Sequence, residues 1–133
     1  MDAATREFVR VRAGNRCEYC HLPQEAIDGV LQIEHIVARQ HFGTDDVSNL
    51  ALACDRCNLQ KGPNLSAIDP ASSSLVPLYQ PRTNQWDDHF NLDGASIVGR
   101  TAIGRATVRL LQLNDRKRMR LRTLLLARGA WPA

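Results

Sequence analysis

Residues 15–63 read NRCEYCHLPQEAIDGVLQIEHIVARQHFGTDDVSNLALACDRCNLQKGP, and the fold turns on this stretch. Two CxxC pairs bound it, Cys17 with Cys20 and Cys54 with Cys57. The i, i+3 spacing lets one turn bring two thiolates onto one ion, and two such pairs form the ligand set of a tetrahedral, all-cysteine zinc site. A single pair would equally suit buried structural thiols or a redox centre; two pairs in one short chain favour zinc. The 33 residues between the pairs (21–53) exceed the roughly 15–20 of an ordinary zinc ribbon, so the ion closes a substantial loop. Four sulfurs leave no position for water. The zinc is therefore expected to be structural, one per chain, with any catalytic ion elsewhere.

Within the loop, Gly29 to Val37 reads as a strand, with Leu31 and Ile33 on one face and Gln32 and Glu34 on the other. Residues 38–48 are polar and read as a loop, and Leu50-Ala51-Leu52 as a second strand. Residues 55–61 are compatible with a helix that stops at Gly62-Pro63. Glu34 and His35 close the first strand, Asn49 precedes the second, and Asn58 follows the last cysteine. A histidine, an acidic neighbour and two asparagines are parts for metal-assisted hydrolysis: a general base, an orienting acceptor and oxygen ligands for a hard cation.

Outside this stretch, residues 4–16 predict a short helix with Phe8, Val9 and Val11 as its apolar points. Residues 63–85 hold four of the six prolines and read as an irregular connector wrapped on the first half, because Leu65, Ile68, Leu75, Val76, Leu78 and Tyr79 call for burial. HFNL (89–92) and ASIV (95–98) flank Asp93-Gly94, a two-residue type I′ hairpin signal. Thr101 is placed to cap a helix carrying Ile103, Ala106, Leu110 and Leu113. Asn114 or Asp115 caps a last one, with Leu121, Leu124, Leu125 and Arg128 along one side and Gly129 as its stop.

The chain has 133 residues, 44% hydrophobic and 23% charged, which suits one compact domain and excludes general disorder. No run of 18 apolar residues suggests a membrane span, and the first 15 residues lack the apolar core of a signal peptide. A cytoplasmic protein is expected, where disulfides are rare and four cysteines point to metal. The net charge of +3 hides an asymmetry: residues 1–98 hold 8 Lys/Arg against 13 Asp/Glu, whereas residues 99–133 hold 9 against Asp115 alone. The basic end suits either a polyanion partner or a solvated helix face.

With these residues set out, the pattern Cys17-x-x-Cys20, Glu34-His35, Asn49 to Ala53, Cys54-x-x-Cys57-Asn58-x-x-Lys61-Gly62 resembles the HNH endonucleases of the ββα-metal type, in the subtype braced by two CxxC pairs. The order of elements is that of a small α+β fold, and the resemblance, which covers about residues 15–63, makes residues 1–66 a zinc-braced nuclease module, with the connector, β-hairpin and two basic helices of 67–133 packed on it as one unit. The resemblance implies a metal-dependent endonuclease in which His35 is the general base and Asn49 orients its imidazole through the side-chain oxygen. Glu34 and Asn58 would hold one Mg2+ or Mn2+, and hydrolysis would leave a 5′-phosphate and a 3′-hydroxyl. Asn58 stands where the namesake has a second histidine, so this is an H-N-N variant that favours oxygen-preferring ions.

Lys61 is a phosphate-contact candidate by the same resemblance. His41 is either a phosphate or metal contact or a plain loop histidine, and Arg39 and Arg56 are either phosphate ligands or surface arginines. Arg105, Arg109 and Arg116 share a broad helix face suited to a nucleic-acid backbone. His21 reads as a surface residue or a hydrogen-bond donor behind the cysteines rather than a metal ligand, and His89 as a packed or capping residue. DNA is the expected partner in preference to RNA, with no membrane and no small-molecule cofactor. The rival reading is a non-catalytic zinc module that binds nucleic acid or serves as an adaptor.

Overall fold

The computed structural model describes residues 1–132. Asp2 caps the first helix, α1 (Ala3–Arg12), its carboxylate accepting from the Thr5 amide at 2.8 Å. Only Val9 of α1 is buried; Phe8 and Val11 face solvent. Arg12 then ties α1 to the rest of the chain, donating to the carbonyls of Val47 (2.9 Å) and Leu50 (2.6 Å).

Strands β1 (Gln32–His35) and β2 (Leu50–Ala53) pair antiparallel, with Glu34 opposite Ala51 and His35 opposite Leu50. All four residues of β2 are buried, which explains an apolar run without alternation. Helix α2 (Asp55–Lys61) follows directly, so the order is strand, loop, strand, helix. The core gathers Val9, Tyr19, Leu22, Leu31, Leu50 and Leu52 with the four cysteines, and continues without a break into Phe90, Ile97, Leu111, Leu113 and Trp131 of the second half.

The connector departs from expectation. It contains a short antiparallel ribbon, β3 (Ser66–Ile68) with β4 (Leu75–Pro77). Leu78 and Tyr79 are buried, but Leu65, Ile68 and Leu75 are exposed, contrary to the expected burial. The ribbon is held by Asp69 rather than by its apolar residues. The Asp69 carboxylate accepts from the amides of Ala71 and Ser72 and from the Ser72 hydroxyl, and takes a two-pronged contact from Arg105 at 2.9 and 3.0 Å.

After the short α3 (Trp86–His89), β5 (Phe90–Asp93) and β6 (Ser96–Gly99) form the expected hairpin, one residue out of the expected register. Asp93 pairs with Ser96, so the two loop residues are Gly94 and Ala95. Gly94 alone has positive φ (57°), which is the pattern of a type II′ turn rather than type I′. Helix α4 (Ala102–Leu110) is capped by Thr101, whose hydroxyl accepts from the Gly104 amide, and lies so close to the end of α3 that a Cβ at Gly104 would stand 2.0 Å from the His89 carbonyl oxygen.

Asp115 caps α5 (Arg116–Ala127). Its inward face is not the leucine stripe anticipated. Arg118, Arg122 and Leu125, spaced i, i+4, i+7, point inward, while Leu124 and Leu126 are exposed. The arginines can be buried because their donors are met: Arg122 gives to the carbonyls of Ala95 (2.8 Å) and Leu113 (2.7 Å) and to the Asn114 side chain, and its guanidinium lies over the Trp131 ring. No helix among the described residues is long and apolar enough to cross a membrane.

Arg105 and the neighbouring hydrogen bonds hold the Asp69 carboxyl below its ordinary 3.8. A carboxyl depressed in the folded state stabilises above its unfolded pKa, and this contribution is lost as pH falls toward the folded one. Asp69→Ala should therefore lower the urea midpoint at pH 7, with the gap to the parent narrowing below about pH 4; equal midpoints at pH 7 would show that Asp69 does not hold the ribbon.

Candidate metal centre and nuclease site

The four cysteine sulfurs lie within 4.8 Å of one another, all buried. Each pair is set by local structure. Cys17 and Cys20 sit on a turn closed by the Cys17 amide to the Leu22 carbonyl (2.9 Å) and the His21 amide to the Cys17 carbonyl (2.9 Å), with His21 in the left-handed region (φ 64°). Cys54 is the N-cap of α2, its sulfur accepting from the Cys57 amide at 3.5 Å. The two knuckles are registered through β2: the Glu18 amide donates to the Leu52 carbonyl, and the Leu52 amide to the Glu18 carboxylate.

Four sulfurs this close in a dry site cannot all ionise unaided. Burial pushes the Cys17 and Cys57 thiols up, while hydrogen bonds from neighbouring thiols pull Cys54 down. A cation resolves that conflict, and the donor set suits a structural metal such as zinc. Arg118 supplies part of the neutralising charge from outside the cluster, its Nη1 donating to Cys57 Sγ at 3.0 Å. Trp131 Nε1 donates to the Cys20 carbonyl and Trp86 Nε1 to the Tyr19 carbonyl, so the second half of the chain clasps the first knuckle. His21 packs on Trp86 with ring centroids 4.3 Å apart, and its pKa falls to about 4 through burial.

The second centre lies at the C-terminal end of β1. His35 Nε2 is 2.7 Å from Asp45 Oδ1, and the same oxygen accepts from Arg39 Nη2 at 3.1 Å. The His35 hydrogen bond, with the Arg39 charge adding to it, holds the Asp45 carboxyl below its usual value, so Asp45 is an anion and Nε2 is the donor. Asn49 plays a different part from the one expected. Its side-chain oxygen accepts from the Val37 amide (2.8 Å) rather than from the imidazole, and its Nδ2 donates to the carbonyls of Val37 (3.0 Å) and Thr44 (2.8 Å). Asn49 thereby staples the loop that presents Asp45. Gly43 permits the same fold-back, since a Cβ there would meet the Val37 carbonyl oxygen at 1.7 Å.

Glu34, one residue from His35, points to the opposite side of β1, into the interior. One oxygen accepts from the Tyr19 hydroxyl; the other lies 3.2 Å from Lys61 Nζ, which also donates to the Ile36 carbonyl at 2.8 Å. Burial raises the Glu34 pKa, against the opposing pull of Lys61 and Tyr19. Lys61 is 2% exposed, so it is an internal counter-charge and not the phosphate contact expected of it. With both carboxylate oxygens engaged, Glu34 does not present itself to a second ion alongside Asn58. Asn58 is half-buried on α2. Among the described residues the cysteine group is the sole cluster of three or more Cys, His, Asp or Glu ligands.

The segment that carries both centres also matches a known family. Residues 17–64 match the family model described as HNH endonuclease. This segment is an HNH domain. A curated relative, the Septu protein PtuB of Bacillus thuringiensis, is 25% identical over 109 residues, covering 80% of this chain. The chain spans 40% of the length of that relative. No solved structure matches.

Around the HNH domain the expected nucleic-acid arginines separate into two groups. Arg105 is engaged by Asp69, and Arg56 lies 3.4 Å from Asp115. Arg109 and Arg116 are exposed on α4 and α5, and His41 and Arg39 are exposed on the loop after β1. Sequence reasoning missed Asp45, Arg118 and Tyr19, the partners of His35, Cys57 and Glu34. A carboxylate in a polar loop ten residues beyond a histidine gave no periodic signal.

Replacing Arg118 by Met keeps the length and removes the charge beside Cys57. Partners of metal ligands typically change affinity by about 10–100-fold, and Arg118→Met should lose its metal to a chelating dye at a correspondingly lower dye concentration. Equal retention would show that the guanidinium does not support the thiolates.

Proposed function

We propose that this chain is an endonuclease that hydrolyses phosphodiester bonds in DNA, with His35 as general base, a structural zinc on Cys17, Cys20, Cys54 and Cys57, and a requirement for Mg2+ or Mn2+. The observation that carries the reading is the His35–Asp45 contact of 2.7 Å at the end of β1, inside the segment that matches the HNH family. With Nε2–H donated to the Asp45 carboxylate, the lone pair of Nδ1 is the free basic site. A water placed there loses a proton to Nδ1 as its oxygen attacks phosphorus. The bond from phosphorus to the 3′ oxygen breaks, the 3′ oxygen takes a proton from solvent, and the products are a 5′-phosphate and a 3′-hydroxyl. A bound divalent ion supplies neutralisation of charge on the phosphate.

Glu34 and Asn58 are the ligands the family resemblance implies for that ion. Glu34 as folded, paired with Lys61 and Tyr19, does not fit the part, so the chemistry derived for this chain rests on His35 and Asp45. Residues 1–66 with 67–133 packed on them, acting in the cytoplasm, complete the reading.

The buried Glu34–Lys61 pair favours a second reading, a zinc-stabilised module that binds nucleic acid or an adaptor partner without cutting. Plasmid nicking in Mg2+ or Mn2+ separates the two. The parent should nick, His35→Ala should lose about 10²–10⁴-fold, in the range of a general base, and Asp45→Ala should lower kcat more than it raises KM. Equal nicking by the parent and His35→Ala would remove His35 from the chemistry; binding without nicking by either would favour the module.

A further inference from the structure

The basic C-terminal segment offers one track for a polyanion, but three of its nine basic side chains are already engaged within the fold. Arg105, Arg118 and Arg122 are bound to Asp69, to Cys57 with the carbonyls that end α4, and to Ala95, Leu113 and Asn114. A different set of arginines converges where α1 meets β1. A concavity of about 380 Å3 lies between α1 and β1, and its charged walls are Arg6, Arg10 and Arg39, with Gln32 beside them and no carboxylate in the lining.

We propose that this concavity is a phosphate subsite for the sugar-phosphate backbone of the nucleic acid that His35 cuts; the inference rests on the nuclease reading above. Arg6 and Arg10, spaced i, i+4, project from one face of α1. Arg6 is exposed and enters no ion pair among the described residues. Arg10 is oriented by a bond from Nη1 to the Leu31 carbonyl at 3.1 Å, which leaves its other donors for a ligand. Arg39 joins the subsite to the nuclease centre, since its Nη2 shares Asp45 Oδ1 with His35.

Position supports the assignment as well as charge. From Gln32, in the lining, to His35 the strand rises three residues, about 10 Å at roughly 3.3 Å per residue. A nucleic-acid strand that passes His35 covers that distance within a few nucleotides. The arginines therefore take phosphates a few nucleotides to one side of the cut, holding the backbone without reading its bases.

The test is fluorescence anisotropy of a labelled duplex of about 20 base pairs and arbitrary sequence, titrated with full-length His35→Ala protein so that nothing is cut, at several salt concentrations. On that background, Arg6→Glu is compared with Arg6→Lys and with Arg120→Glu, which makes the same charge change at an exposed position of α5. Arg6→Glu should raise Kd about tenfold or more and flatten the salt dependence by about one ion, Arg6→Lys should restore both, and Arg120→Glu should change Kd less than about threefold. Arg6→Glu binding like its background, or Arg120→Glu weakening binding equally, would overturn the subsite and leave the nuclease reading standing. Failure of the His35→Ala background itself to bind the duplex at low salt would overturn both.

Discussion

Four sulfur atoms brought within 4.8 Å of one another are the constraint on which the other features depend. The knuckle at Cys17–Cys20 and the cap at Cys54–Cys57 lie at the two ends of the loop that contains β1, the polar loop and β2. Fixing them together fixes the ends of a hairpin whose strands are only four residues each, too short to be stable in isolation. A metal at this centre would join both ends through one ion, coupling its binding to folding. The rest of the chain closes over the centre: Arg118 reaches the Cys57 sulfur, Trp131 the Cys20 carbonyl and Trp86 the Tyr19 carbonyl. The second half is thus part of the shell that keeps the sulfurs dry.

On the braced hairpin, β1 directs two adjacent side chains to opposite sides. His35 goes outward to Asp45, and Glu34 inward to Tyr19 and Lys61. The inward pair is a buried charge network. Such networks cost desolvation and persist only when their partners are complete, as they are here, with Lys61 also donating to the Ile36 carbonyl. The pair ties α2 to β1, while Asn49 ties Thr44 in the loop to Val37, two residues past β1. The imidazole is set between two fixed elements.

Much of this was legible from residue order. The CxxC spacing marked the four sulfurs that come together, the apolar run at 50–52 was a strand, and Thr101 and one of Asn114 or Asp115 were caps because a short side-chain oxygen before a helical pattern has a local task. These signals are local, or repeat at a fixed spacing. Less visible were the inward arginines of α5, the Asp69 clamp on the β3–β4 ribbon and the role of Asn49. Each depends on a group remote in sequence. Arg118 is tolerable inside only because Cys57 and the end of α4 meet its donors, and Asp69 only because Arg105 lies 36 residues away.

By itself the sequence determined the four-sulfur cluster, the strand, loop and strand between the pairs with the helix that follows, and a histidine at the strand end, since spacing, alternation and capping are properties of neighbouring residues. Tertiary structure alone decided which charged side chains face solvent. It turned Glu34 and Lys61 to the interior, gave His35 its carboxylate partner and divided the arginines between core and surface. A charge can be buried only where a distant part of the chain supplies its counter-charge or hydrogen bonds, and that pairing exists only once the chain has folded.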